Sequence, residues 1–501
     1  MKKAFTTSLL LLLLTTIHAQ VDPRVRGIKK QIEKILETTH TPGCAVAVVE
    51  GNKVLYTQGF GYRDLERKIK ADAHTLFPIG SVTKAFTAAL LGQLRDKGKL
   101  SFEESPLRYI QNLKFYNEQL NRELIVQDLL AMRTGLALHD KAWSGIPVND
   151  RDSLLRRIQY LEPAHKLRGK WNYSNFSYFT LGVIGERLTG KTWEENVESS
   201  LFKPLGMNNS SFGIKGLSKT QNVSLGYIST NGKAEEVEYL NLTAMAPAGG
   251  INSNAHDMGN WLLAWVNKGN LVGQQVLPEQ YVAEAITPQA VMPTGYLPDE
   301  EFSGMYQAGY GYGWILSDYK GHYRVEHGGS IDGFRASVAF FPNEKIGVVV
   351  LTNQANYEAA MMIRNTFADK LLEAKSTDWL AIYLKSQEPC QPASEPPLNQ
   401  KAPPLATTPS HKGLAGNYTN PGYGTITICY ENGEPYTYFR KRKLMIVPAL
   451  TGKDVFQAIT TTPPYRTAMP PLHFKNNPEG KVVSLSIQFD DGIKPIEFSR
   501  D

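Results

Sequence analysis

Ser81 and Lys84 are the residues in this chain whose types and spacing most directly suggest covalent chemistry. They lie in Pro78-Ile79-Gly80-Ser81-Val82-Thr83-Lys84-Ala85-Phe86. From Val82 the apolar pattern through Ala88, Leu91 and Leu94 predicts a helix that stops at Gly98. Residues three apart on a helix share a face, so Lys84 is expected one turn beneath Ser81. A serine hydroxyl attacks a carbonyl only when a neighbouring base takes its proton. An ammonium flanked by Ala85, Phe86 and Ala88 is desolvated toward its neutral form, and a neutral amine is such a base. The Ser81 amide, at the start of the helix, is left free to bind a developing oxyanion.

Two further stretches carry polar groups of the right kind. Tyr173-Ser174-Asn175 immediately precedes Phe176, Phe179, Val183, Ile184 and Leu188, which recur at helical spacing. Tyr173 and Asn175 therefore stand at a helix entrance, where an asparagine also serves as a cap. His327-Gly328-Gly329-Ser330 follows a strand-like run from Tyr323 to Glu326. A rival motif needs a separate reading. Gly185-Glu186-Arg187-Leu188-Thr189-Gly190-Lys191-Thr192 matches the phosphate-loop pattern letter for letter. That loop must follow a buried strand, whereas the residues before this one have helical period. Gly190 is expected to end the helix, with Lys191 near its negative pole.

The elements that must hold these groups read as two domains. A helix around Gln31 to Leu36 precedes a hairpin of Cys44 to Glu50 and Val54 to Gly61 about Gly51-Asn52. Asp128 to Leu136 reads as a short helix breaking into a loop, and Pro247 to Ser253 as a glycine-rich connector beside the site. A run of strands opens at Tyr310, continues as the hairpin Ala336 to Phe341 and Ile346 to Leu351, and is followed by a helix from about Tyr357 to Leu372. An antiparallel sheet flanked by helices, with an inserted helical region, is an α+β architecture. Seven prolines between Pro389 and Pro409 mark a linker. Beyond it the period becomes two: Ile426, Ile428 and Tyr430 alternate with Thr425, Thr427 and Cys429, and Val483, Leu485, Ile487 and Phe489 alternate with polar residues. The expected organisation is a leader over residues 1–19, an α+β domain over 20–380, a linker over 381–412 and a small all-β domain over 413–501.

Composition sets the outer limits. The chain has 501 residues, 42% apolar and 20% charged, as in a globular protein, with a formal net charge of +6. Basic residues are scattered except at Arg440-Lys441-Arg442-Lys443, which reads as a solvated strand end rather than a nucleic-acid surface. Lys2 and Lys3, the apolar run Leu9 to Leu14 and Ile17-His18-Ala19 before Gln20 read as an export leader too short to span a bilayer, and no later transmembrane segment is expected. The mature chain is then expected in a periplasm or secreted. Of three cysteines, Cys44 is expected as a buried free thiol, while Cys390 and Cys429 could pair.

Taken in order, Ser81-x-x-Lys84, Tyr173-x-Asn175 and His327-Gly328-Gly329 resemble the serine β-lactamase and penicillin-binding protein superfamily. Within it they resemble the class C branch with its D-aminopeptidase and esterase relatives. Leu76-Phe77-Pro78, Pro204-Leu205-Gly206-Met207 and Pro247-Ala248-Gly249-Gly250 reinforce the likeness over roughly residues 25 to 375. The tail resembles the lipocalin-like barrel often appended to such enzymes. The resemblance implies that Ser81 is acylated, that Lys84 and Tyr173 share the proton traffic, and that Asn175 orients Lys84 and the substrate amide. Which of Lys84 and Tyr173 is the base stays open. His327 would hydrogen-bond Tyr173 or the substrate from an edge strand, and the Ser81 and Ser330 amides would form the oxyanion hole. Gly328 and Gly329 would let substrate backbone approach.

Three departures stand out. His327 occupies a position where many relatives have lysine, Gly328 lacks the hydroxyl of Lys-Thr-Gly enzymes, and Met132-Arg133-Thr134-Gly135 differs from the usual His-Thr-Ser-Gly. The first two argue against a specialised antibiotic-destroying enzyme. The expected function is an exported serine hydrolase acting on amide or ester bonds of D-residue peptides, β-lactams or small esters, with no metal and no organic cofactor. A penicillin-recognising or peptide-binding protein that acylates with little turnover is the alternative.

Overall fold

The computed structural model describes residues 22–501 apart from 147, 149, 218–219, 231, 240–241, 294–307, 388–412, 441, 450–453 and 462–467. The expected leader, most of the expected linker and Cys390 lie outside the described residues.

Strand Gly43–Glu50 shows why the sheet is buried on both sides. Its seven residues from Gly43 to Val49 are an unbroken buried run rather than an alternating one. Ala45, Ala47 and Val49 enter one core with Trp261 and Leu262 of helix Ala255–Val266. Cys44, Val46 and Val48 enter the other core, with Ile32 of helix Ile28–Thr38 and Ile363 of helix Glu358–Leu371. This strand is one of nine antiparallel strands in a single sheet, among the described residues. The C-terminal strand Ile346–Thr352 pairs with it on one side and Lys53–Asp64 on the other. The chain ends of the domain are thus joined through the sheet.

Strand His322–Ile331 carries the third motif, and its position is not the one expected. It is internal, between Ile315–Tyr319 and Phe334–Phe341. Pairing with Ile315–Tyr319 ends at Glu326, however, while pairing with Phe334–Phe341 continues to Ile331. Residues His327 to Ile331 are therefore a local edge on an internal strand. That half-edge is packed against the Ile79-Gly80 turn. A Cβ on Gly80, whose φ is +51°, would lie 2.7 Å from the Ser330 amide nitrogen, and one on Gly329 would run into the Ile79 carbonyl oxygen.

Residues 381–386 were expected in the linker, but Trp379–Ser386 forms a helix with Trp379 buried. Trp379 donates its indole N–H to Asp369 at 2.9 Å, which ties this helix to the sheet domain. The stretch expected as a glycine-rich connector takes regular local structure. Ala246–Gly249 is a helical turn with proline in its first turn, followed by the short strand Ile251–Ser253. The phosphate-loop look-alike is the end of helix Asn175–Thr189, closed by Gly190 at φ 69°.

The tail is a closed barrel of eight strands running from Gly416 to Arg500, among the described residues. Closure removes every free edge. Its alternation is as expected at Ile426 and Ile428 and at Leu485 and Ile487, but reverses at Val483 and Ser484. There Val482 and Ser484 are buried and Val483 is exposed. A register shift between Lys475 and Asn476 in the neighbouring strand accompanies that reversal. The Ser484 hydroxyl is satisfied by Glu497 at 2.8 Å. Cys44 is a buried free thiol, and burial pushes its titration upward. No helix among the described residues is long and apolar enough to cross a membrane.

Candidate active site

Ser81 sits in a 3-10 turn, Gly80–Val82, from which helix Thr83–Asp96 continues. The turn is pinned from below, since Ile79 donates its N–H to the Ile251 carbonyl at 3.0 Å. Lys84 is one turn further on and fully buried. Its Nζ donates to Ser81 Oγ at 3.0 Å, to Asn175 Oδ1 at 2.7 Å and to the Ala248 carbonyl at 2.8 Å. All three donors of an ammonium are thus directed, one of them at the nucleophile. Desolvation pulls the Lys84 pKa down to about 7, with Asp140 acting in the opposite sense. The amine is therefore neutral in a large share of molecules near neutral pH.

Tyr173 precedes helix Asn175–Thr189, whose cap is the Ser174 hydroxyl and not Asn175. This frees the Asn175 side chain for Lys84. The Tyr173 hydroxyl donates to Ser81 Oγ at 2.7 Å. Lys84 Nζ lies 4.8 Å from the centroid of the Tyr173 ring. One hydroxyl oxygen thus touches a phenol and an amine from separate elements, an arrangement able to take up the proton of an attacking serine. The Ser330 amide nitrogen lies beside the same turn, 2.7 Å from where a Cβ on Gly80 would stand.

His327 is buried, with its ring centroid 6.5 Å from that of Tyr173. Its Nδ1 lies 2.7 Å from the Gly328 carbonyl, and the Tyr310 hydroxyl is 3.3 Å from Nε2. The carbonyl requires a proton on Nδ1, leaving Nε2 as acceptor. Desolvation, then the Lys84 charge, pulls its pKa down to about 4, so it is a neutral ring at physiological pH. It cannot supply the fixed charge of a lysine at this position. Gly328 faces Tyr357, whose ring a Cβ there would meet at 3.3 Å.

Three partners were not named from the sequence. Tyr310 holds the His327 ring. Arg335 donates to the Ser330 hydroxyl. Asp140 accepts from Asn175 Nδ2 at 2.7 Å and from Trp143 Nε1 at 2.9 Å. Arg133, in the variant stretch, is a scaffold residue that pairs with the fully buried Asp128 at 2.7 Å. Among the described residues no group of three or more His, Cys, Asp or Glu has an arrangement that could hold a metal ion.

The chain is 26% identical over 499 residues to an unguisins hydrolase, ungD', of Aspergillus campestris, covering 94% of this chain and 91% of the relative. It is 26% identical over 354 residues to protein flp of Staphylococcus aureus strain N315, covering 70% of this chain and 65% of that protein. Among solved structures, an octameric penicillin-binding protein homologue from Pyrococcus abyssi superposes with a TM-score of 0.63 at 21% identity, covering 94% of this chain and 99% of that one. SurE superposes with a TM-score of 0.57 at 19% identity, covering 95% and 99%. At these identities the two superpositions speak to the fold, barrel included. Residues 28–373, which carry all three motifs and the sheet, match the model of the family described as Beta-lactamase, and this chain belongs to that family.

Proposed function

We propose that this protein is an exported serine hydrolase that opens amide or ester bonds through an acyl-enzyme on Ser81. The observation that carries this reading is the double contact at Ser81 Oγ, 2.7 Å from the Tyr173 hydroxyl and 3.0 Å from a buried lysine amine. Ser81 attacks the substrate carbonyl while its proton passes to the Lys84–Tyr173 pair, and the Ser81 and Ser330 amides stabilise the oxyanion. The proton then returns to the leaving group, and water releases the acyl group by the reverse sequence. Asn175 keeps the amine aimed at Ser81.

The substrates that fit are D-residue peptides and small esters, with β-lactams turned over slowly. A neutral His327 supports that ranking, because no fixed cation stands there to grip a β-lactam carboxylate. The relative named as a hydrolase, matched over nearly the whole chain, supports turnover rather than arrest at the acyl-enzyme.

The test mixes the purified protein with a chromogenic cephalosporin, a p-nitrophenyl ester and a D-alanyl peptide. Steady release of product from the ester or the peptide, lost in Ser81→Ala, is expected. A single burst without turnover would instead identify an acylating binder, and failure of all three to label Ser81 would overturn the reading.

A further inference from the structure

The C-terminal barrel touches the segment that carries Asp140 at several points. His139 is fully buried and held at φ +49°, a backbone conformation uncommon outside glycine. Its Nε2 lies 2.8 Å from the Glu162 carbonyl, and its Nδ1 lies 2.7 Å from the hydroxyl of Tyr423 in the barrel. The carbonyl needs a donor, so Nδ1 is the acceptor of the Tyr423 proton. The His139 backbone N–H donates to Asp490, also of the barrel, at 3.1 Å. Past the short helix Lys141–Ser144, the Arg440 N–H donates to the Gly145 carbonyl at 3.1 Å, and its guanidinium to Ser144 Oγ at 2.9 Å. Phe439 fills the space beside Gly145, where a Cβ would come within 2.6 Å of its ring. Asp140, the residue preceding that helix, is thus held between two sets of barrel contacts.

Its carboxylate then decides how Asn175 faces Lys84. An amide has a donor end and an acceptor end of nearly the same shape, and either can point either way. A carboxylate only accepts, so Asp140 requires the NH2 of Asn175 on its side and leaves Oδ1 for the Lys84 amine. Flipped, Asn175 would present a donor to the ammonium donor and turn Lys84 away from Ser81.

We propose that Asp140 is a positioning residue for the Ser81 site and that the barrel, through Tyr423 and Asp490, holds it in place, so that the tail domain sets the competence of the catalytic lysine. The proposal rests on the role assigned above to Lys84. The groups that bear on Lys84 are Asp140, the Tyr173 and Tyr178 rings at 4.8 and 5.8 Å, and His327. Those that bear on Asp140 from outside its own segment are Asn175, Tyr423, Asp490 and, through Lys141, Arg440.

The test uses the full chain and whichever ester or peptide the wild type acylates fastest. Asp140→Ala is expected to lower the acylation rate about 10- to 100-fold, as a misaimed catalytic group does, with little change in KM. The near-isosteric Asp140→Asn removes the charge that holds the Lys84 pKa up, so its acid limb moves to lower pH. Tyr423→Phe is expected to lower the rate by less, on the order of 3- to 10-fold, and to add nothing further in the Asp140→Ala background. Thermal melts establish that each variant is folded, and Asp140→Asn and Tyr423→Phe carry the test if Asp140→Ala does not fold. Unchanged rates and an unmoved limb in folded variants, or losses that add in the double variant, would overturn the proposal. A wild type that never acylates at Ser81 would instead refute the functional reading on which it rests.

Discussion

Strand His322–Ile331 separates two buried cationic sites that treat charge in opposite ways. On one face Glu326 lies between Arg324 and Arg364, both almost fully buried. Arg324 Nη2 is 2.9 Å from the carboxylate, and Arg364 pairs with its other oxygen. Ser317 and Ser337 hydroxyls and the Asn365 amide take up remaining guanidinium donors. Burial alone would raise the Glu326 pKa, but the two arginines hold it below the ordinary value. On the other face, one residue further along, His327 looks toward Lys84, whose hydrogen-bond partners are neutral. The nearest carboxylate, Asp140, is reached only through the Asn175 amide. The first site stays ionised and ties the sheet to helix Glu358–Leu371. The second gives up its proton readily. Pairing makes a buried cation structural, and withholding a direct counter-ion leaves it able to act as a base.

Substitutions that exchange these two behaviours test the contrast. The largest effect is expected from Lys84→Met, which keeps the buried stem and removes the amine. Acylation should fall by about 10³- to 10⁴-fold in a folded protein, measured by single-turnover kinetics, as for loss of a general base. Glu326→Ala should leave two buried guanidinium groups facing each other and cost about 3–5 kcal/mol of stability in denaturant titration. The rate per folded molecule should change far less than in Lys84→Met. The sign with pH follows from the lowered Glu326 pKa. Its stabilisation is complete above the unfolded value of about 4.3 and is lost as pH falls through the lower folded value.

Asn175→Asp would give Lys84 the direct counter-ion it lacks. The acid limb of the acylation rate should move up by about 1–2 pH units. A limb that stays put would mean that Lys84 is not the group titrating. The smallest effect is expected from His327→Gln. Because His327 is neutral above about 4, this change should leave the position of the limb between pH 5 and 8 unaltered even where it lowers the rate.

The sequence displayed much of the candidate site, because two of its residues lie one helical turn apart and the three motifs taken in order resemble a known family. Their convergence depends on tertiary packing, as at the half-edge beyond Glu326, where an internal strand becomes locally unpaired. Asp140 was not legible. It follows a stretch that departs from the usual motif, and its place depends on a buried histidine at positive φ and on barrel residues such as Tyr423, 284 positions from His139. Alternation in the barrel was readable where the strand is regular and misleading at Val483, next to a register shift. Pro247 to Gly250 looked like a connector because glycine and proline punctuate loops. Here Ala246–Gly249 is a helical turn, and its Ala248 carbonyl accepts a hydrogen bond from Lys84.

The central claim is that Lys84, held near its neutral form, belongs to the pair that takes the Ser81 proton. It is tested most directly by following the acylated mass of Ser81 in quenched time courses between pH 5 and 10. The expected result is a rate that climbs about tenfold per unit at low pH and levels off above about 7, the pKa of the buried amine. A rate still climbing through pH 9, toward the titration of an ordinary lysine, or an acyl group found on a residue other than Ser81, would contradict it.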